Sequence, residues 1–471
     1  MRTNNDMFDN FLKFEDENRL FDLEYRGIRY WQFLRVYVME HFTMESVPRQ
    51  VSDKESPKKV IEGKNTAILP QIKILLSNKK YDVLVSTAPY YVSRDNKKVN
   101  PFCEFFSNFS LKYKYNFIHI FSDNTEEEDF VSDLIIQIII AVKTFLLRVK
   151  QLIFKCRLSA TQTLSQRLCE QFGYKSNQDE FDFKIMCFVM QFNIYKRYYR
   201  RILRNKYKCV FMVEHYNIAH FALIQAAREV NIPVIEYQHG VIGRYHFAYN
   251  FYNTEEKNLY LPDYLFTFGS YWSESCRLPK ICKPIKVGFP LIDESRQQQK
   301  MSDKDSKNIV FYGPFSDLML AIIEDFVKLD CNHRYRIVCK LHPRELKNGR
   351  SLYPELYENS NIEIIDTPLF VHELLASSLN HVGISSTVLF EALAFSDRVF
   401  VIDDIGSEYM TDFVKDDSMY LVSSAHELLS ILDMPFDIMK AEKNATALYE
   451  PNSIHNIAME IEKIIARQPE N

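Results

Sequence analysis

The spacing of apolar and polar positions changes near residue 209. Before it, residues 1–42 predict two helical pieces, with Trp31, Phe33, Leu34 and Val36 supplying apolar contacts. Residues 43–68 are polar with two prolines and predict a loop. Strands are predicted at Tyr81–Thr87 and Asn116–Ser122, with a loop at Asp95–Pro101 and a solvated acidic turn at Asp123–Asp129. Residues 133–205 carry long helical patterns. Leu134–Val142 has no charge for nine residues and then meets Lys143, Arg148 and Lys150. A spanning helix needs about 20 apolar residues. The stretch therefore predicts either a buried or half-buried helix, or one lying on the inner membrane surface.

From residue 209 short apolar runs alternate with helical patterns. The strands are 209–217, 232–240, 264–272, 285–293, 308–315, 335–345, 362–368, 381–387, 398–403 and 419–424. Helices are expected at 218–230 and 317–328 and, amphipathically, at 453–468. Apolar runs separated by helices argue parallel sheets covered on both faces. The polar stretch 294–308 divides them. The predicted class is thus α/β: two Rossmann-like domains with parallel sheets facing a cleft, plus extra N-terminal helices. Residues 1–293 form the first, acceptor-side domain with helical insertions, 294–308 a linker and 309–445 the nucleotide-donor domain. A C-terminal helix, 446–471, is expected to pack back on the first domain.

Composition narrows the chemistry. Only 11 of 471 residues are glycine, roughly 2% against about 7% on average. There is no G-x-G-x-x-G and no G-x-x-x-x-G-K-[ST], which argues against a dinucleotide fingerprint or a P-loop. Scarcity makes Gly240, Gly288, Gly313 and Gly383, all near strand ends, the places where backbone is expected to meet substrate. A net charge of −4 gives no global signature for nucleic acid. The nine cysteines include no C-x-x-C, so a zinc site or disulfide scaffold is not expected, and free thiols fit a reducing, cytoplasmic compartment. The N-terminus lacks the apolar core of a signal peptide.

Two loops of the second half carry anion chemistry. Ser385, Ser386 and Thr387 stand where a strand gives way to a helix; hydroxyls and free N–H groups there make an anion site, or simply an N-cap. Glu391 follows one turn later, placed for a sugar hydroxyl. Lys340, His342 and Pro343 end another strand, where Lys and His donate to phosphate. In the first domain Gln238, His239 and Gly240 end one strand, and Glu214 and His215 the one before. His239 suits a general base, with Glu214 or Glu236 orienting it or acting instead. The run 195–208 places seven Lys/Arg in the thirteen positions 196–208, among them Arg197, Arg200 and Arg201, interleaved with tyrosines. It predicts either a solvated face or a patch for an anionic acceptor or lipid headgroups. No metal ligand set and no cofactor is expected.

These motifs resemble the GT-B glycosyltransferases of bacterial surface polysaccharides, including capsule sialyl- and polysialyltransferases and Kdo transferases. His342-Pro343 and Ser385-Ser386-Thr387 are similar to the HP and Ser-rich motifs of the sialyltransferases. The resemblance implies that they hold the phosphate of a CMP-activated sugar. The family's two acids followed by Gly are not reproduced; Gln238-His239-Gly240 stands in their place. That triplet is similar to the His-Gly loop of the CDP-glycerol glycerophosphotransferases, in which His is the base. Residues 287–293, VGFPLID, resemble a strand end of the UDP-GlcNAc 2-epimerases. The expectation is a metal-independent, inverting transferase extending a capsule or surface glycan. His239, Glu214 and Glu236 would be catalytic. Lys340, His342, Pro343, Ser385, Ser386, Thr387, Glu391 and Gly313 would hold the donor. Gln238, Gly240, Arg197, Arg200 and Arg201 would face a glycan or lipid-linked acceptor at the inner membrane face. The rivals are a CDP-polyol phosphotransferase, a sugar-nucleotide 2-epimerase and a non-catalytic glycan-binding protein.

Overall fold

The computed structural model describes residues 4–44, 80–87, 92–94, 97–108, 115–119, 134–154, 158–174, 177–204, 206–298, 304–437 and 445–467. The expected loop at 43–68 from residue 45 onward, and the acidic run 123–129, lie outside them. Twelve strands build two six-stranded parallel sheets. The first domain has β1 (Val83–Thr87), β2 (Tyr115–His119), β3 (Cys209–Val213), β4 (Val234–Tyr237), β5 (Tyr264–Thr267) and β6 (Lys283–Lys286), in the order β6-β5-β4-β3-β1-β2. The second has β7 (Asp305–Tyr312), β8 (Arg336–Lys340), β9 (Ile362–Ile365), β10 (Ser378–Gly383), β11 (Arg398–Ile402) and β12 (Tyr420–Val422), in the order β9-β8-β7-β10-β11-β12. That second order is the dinucleotide-fold order, here without its glycines. The α/β class with two Rossmann-like domains is therefore what the chain adopts.

Seven strands of the two sheets (β1, β3, β4, β7, β8, β10 and β11) have runs of four or five consecutive buried residues, as sheets covered on both faces require. Helices α1 (Asn4–Glu17), α2 (Trp31–Met44), α3 (Leu134–Phe154), α4 (Ser159–Phe172), α5 (Gln178–Leu203) and α6 (Ile218–Glu229) belong to the first domain. Asn177 caps α5 by accepting from Asp179 N, with Asp179 and Glu180 in the first turn and Arg200 and Arg201 in the last, complementing the helix dipole at both ends. Phe33, Phe192, Phe221 and Tyr260 cluster in the core beneath. Asp95–Pro101, expected as loop, is partly a short hairpin, Val92–Arg94 against Lys97–Val99.

The polar stretch 294–308 is not a bare linker. Helix α7 (Pro290–Gln298) runs into it, and β7 begins at Asp305. One apolar core spans both domains: Trp272 packs on Phe390 at 5.1 Å and Tyr271 on Phe413 at 4.6 Å between ring centres. The chain end also crosses back. Glu450 N donates to Phe268 O and Trp272 Nε1 to Leu448 O, both at 2.7 Å. Asp293 accepts from Ser453 N and Oγ, at the start of the C-terminal helix (Ser453–Ala466), while the second domain adds helix α8 (Asp317–Leu329). Gly288 has φ +90°, and a Cβ there would lie 2.1 Å from Glu450 O. Its expected place against substrate is taken by this returning segment.

Candidate active site

Parallel α/β sheets bind ligands beyond the carboxyl ends of their strands, where the strand order reverses. In the second domain that point lies between β7 and β10. Tyr312 pairs with Lys340, and Phe311 with Val382 next to Gly383, so three strand ends and their loops stand side by side. Pro343 is exposed and ends the strand run, as expected. Glu345 is buried and shapes this rim: it accepts from His342 N at 2.8 Å and from Tyr353 Oη. A Cβ on Gly313 would lie 2.6 Å from Glu345 Oε2. Gly313 is thus required by packing of the loop, not by approach to a phosphate. Gly383 is likewise backed by Leu389, 3.2 Å from where a Cβ would stand.

His342 is half-buried, and its Nδ1 accepts from Arg344 N at 3.3 Å. That bond leaves the ring proton on Nε2, a donor available to an anion. Burial, opposed by Glu345, lowers its pKa. Lys340 is buried and donates to Leu341 O at 2.8 Å, and desolvation lowers its pKa against the pull of Glu345. Ser385 and Thr387 are exposed, and Ser386 is the N-cap of helix α9 (Thr387–Ala394) without a side-chain capping bond. Its hydroxyl and the first N–H groups of the helix thus remain available to a ligand. Glu391 departs from expectation: its Oε2 meets Nε2 of buried His372 at 3.0 Å, and His372 Nδ1 meets Ser295 Oγ at 2.7 Å. This carboxylate ties α7 to the second domain instead of standing open for a sugar hydroxyl.

The first-domain rim is a buried network. Glu236 is fully buried, and its Oε2 faces His215 Nδ1 at 2.7 Å while Oε1 accepts from His215 N at 3.0 Å and Tyr249 Oη at 2.7 Å. Burial pushes the carboxyl up, but His215 and Tyr249 outweigh it, and its pKa lies below the ordinary value. Glu236 is therefore an orienting anion beneath His215, not a group at the surface. His215 is held edge-on by Tyr216, Phe221 and Tyr249. His239 Nε2 meets Tyr216 Oη at 2.9 Å. Burial lowers His239 to about 4, His220 to about 4 and His246 to about 3. Glu214 is half-buried with φ 65°, and its carbonyl accepts from His220 Nδ1 at 2.6 Å and Asn217 Nδ2 at 3.2 Å. A non-glycine residue held left-handed beside a cleft is strain of the kind found at functional sites.

Gln238 is fully buried with both ends of its amide used: Phe268 N donates to its Oε1 at 2.8 Å, and its Nε2 donates to Gly240 O at 2.7 Å. It pins the loop instead of meeting an acceptor. A Cβ on Gly240 would be in ordinary van der Waals contact with Thr387 Cγ2, 4.0 Å away. The His239–Gly240 loop and the start of α9 thus face each other across the cleft. Of the basic run, Lys196 and Arg200 pair with Glu229 at 3.1 and 3.6 Å, Lys208 pairs with Asp82 at 2.9 Å, and Tyr195 and Tyr199 are buried. The run is divided between core and ion pairs, and Arg197 and Arg201 remain exposed.

Sequence spacing missed Tyr249, Tyr216, His246 and Arg35. Arg35 forms a buried pair with Glu15, bonded at 2.6 and 2.8 Å, and also donates to Phe247 O and Asn250 O at 2.6 Å. The N-terminal helices thereby fix the turn that carries Tyr249, and through it Glu236.

Residues 312–402 match the sequence model of the alpha-2,8-polysialyltransferase (POLYST) family. No curated protein matches the chain. Among solved structures, the chain is similar to a UDP-GlcNAc 2-epimerase from Neisseria meningitidis bound to UDP-GlcNAc, at 15% identity and TM-score 0.47 over 82% of this chain and 100% of that one. It is similar also to the UDP-GlcNAc 2-epimerase of Methanocaldococcus jannaschii, at 13% and 0.45 over 82% and 100%. A third similarity is to Acinetobacter baumannii MurG, at 9% and 0.42 over 81% and 99%.

Proposed function

We propose that the protein is an inverting glycosyltransferase that moves a sugar from a nucleotide donor, a CMP-sugar by preference, to a growing surface glycan. The observation that carries this reading is the meeting of the His239–Gly240 loop with the Ser385–Thr387 helix start across the cleft. One side holds a hydrogen-bonded imidazole; the other holds hydroxyls, helix N–H groups and His342 Nε2. The polysialyltransferase match supports it, because residues 312–402 contain both His342-Pro343 and Ser385-Ser386-Thr387.

In this mechanism the acceptor hydroxyl gives its proton to His239 while its oxygen attacks the anomeric carbon. The bond from that carbon to the donor phosphate breaks, and the nucleotide leaves with the electron pair. His342, Lys340 and the start of α9 stabilise the charge that grows on the phosphate. As it stands, His239 is a weak base, because burial holds it near 4. A donor phosphate bound opposite supplies the negative charge that raises it toward neutrality. Glu214, beside it on the neighbouring strand end, is the alternative base. The acceptor is a glycan or lipid-linked glycan presented at the cytoplasmic face of the membrane.

The test is release of CMP, CDP or UDP from a donor panel, with and without glycan acceptors. Acceptor-dependent release of CMP supports the proposal. Turnover of a UDP-sugar without acceptor would replace it by epimerisation, and calorimetric nucleotide binding without any turnover would replace it by a binding role. A second reading rests on Gln238-His239-Gly240, which resembles the loop of polyol-phosphate transferases. A phosphodiester in the product decides for it.

A further inference from the structure

Helix α3 shows its apolar side to the outside. Ile136, Ile140 and Gln151 face the core of the first domain, and Gln151 Nε2 donates to Asp179 O. On the other side Phe145 is 68% exposed, Ile153 65% and Leu146 59%, with Ile138 and Val142 also above half. At 100° per residue these side chains fall on one stripe about 100° wide. Lys143 and Lys150 border the stripe on one side and Arg148 on the other, and the helix contains no acidic residue. Lys143 and Lys150 form no ion pair among the described residues, and neither does Arg197. Beside the stripe an open groove of about 580 Å³ is lined by apolar Leu147 and Met186 and by Arg26, Lys143, Lys150 and Arg197. Among the described residues no helix is long and apolar enough to cross a membrane.

We infer that this face docks on an anionic lipid bilayer. The stripe of α3 lies in the boundary between headgroups and acyl chains, and the bordering cations with the groove meet headgroup phosphates. An outward apolar stripe of this size marks an interaction surface. Its composition selects the partner: cations border both sides of a helix with no acidic residue, and Glu180 in the groove beside Phe145 and Arg148 is matched there by Lys184. That balance fits the anionic interface of a bilayer, where an amphipathic helix lies in the plane. The core of a protein interface is instead depleted of charge. The surface shares no residue with the cleft, so vesicle binding and sugar transfer can fail separately.

The test is sedimentation of the full chain with phosphatidylcholine vesicles, with and without phosphatidylglycerol, over a salt series. Binding is expected to the anionic vesicles and to fall steeply with salt. The variant Phe145→Ser/Ile153→Ser, altered only at exposed positions, is expected to keep the wild-type melting temperature and to bind at least about tenfold more weakly. Lys143→Gln/Lys150→Gln should lose about fivefold per charge. Absence of binding by the folded wild-type chain, or equal binding by the apolar variant, overturns the inference. So does a dimer in solution that Phe145→Ser/Ile153→Ser dissolves, since a second copy would then cover the stripe. Should that variant fail to fold, the salt series on the wild type still decides: salt-independent sedimentation contradicts docking on anionic lipid.

Discussion

On the first-domain rim Glu236 and His215 are 0% and 1% exposed, and the carboxylate holds a side chain, a backbone N–H and a phenol. On the second-domain rim Ser385 and Thr387 are exposed, Ser386 makes no capping bond, and His342 keeps a donor to spare. The Glu236–His215–Tyr249 network of the first rim has its hydrogen bonds made before any substrate arrives; the second rim is completed by a ligand. A buried polar network fixes geometry because each broken bond strands a partner. An open helix end with hydroxyls suits an anion that must bind and leave. The division matches proton transfer on one side and phosphate binding on the other.

The comparison can be broken most severely at His239. His239→Ala is expected to lower turnover about a hundred- to ten-thousandfold, with donor KM near wild type. Initial rates at saturating donor check it. Next comes the network beneath: Glu236→Ala strands His215 and Tyr249, and denaturant unfolding should report a loss of about 3–5 kcal/mol. The open rim should respond in binding. Ser386→Ala and His342→Ala are expected to raise donor KM about ten- to a hundredfold, the worth of one hydrogen bond to a charged group. Ser386→Ala should leave the melting temperature unchanged, because no capping bond is lost.

The remaining difference between the rims is read by pH. His220, His239 and His246 have folded pKa values pushed down to about 4, 4 and 3, below the value of 6.5 they return to on unfolding. Between about pH 6.5 and 4 the unfolded chain therefore binds protons that the folded chain refuses. Stability falls as pH drops through that window, by about 1.4 kcal/mol per unit for each such group. Melting curves should show the slope, and His246→Asn should reduce it by one group's share.

The two sheets were legible from residue 209 onward because parallel strands buried on both faces give short apolar runs ending in turns. Ahead of that point the strands are separated by helical insertions, and the expected second strand, 116–122, is observed at Tyr115–His119. Both rims were legible as strand ends, but not the partners that set each side chain's role. Glu236 was read as catalytic or orienting, and only the fold brings His215, 21 positions away, to its carboxylate. Glu391 looked free for a sugar because His372 lies on another helix. Glu345 could have been found: three residues after His342, it reaches back to a free N–H as a capping-box acid does. The outward stripe of α3 was half legible, since apolar periodicity marks a face but not which way it turns.

The most direct test of the divided cleft is a pair of kinetic constants, measured with the donor that the panel identifies. In His239→Ala kcat should collapse while donor KM stays close to wild type; in His342→Ala donor KM should rise while kcat falls less. Wild-type kcat in His239→Ala together with wild-type KM in His342→Ala would contradict the account.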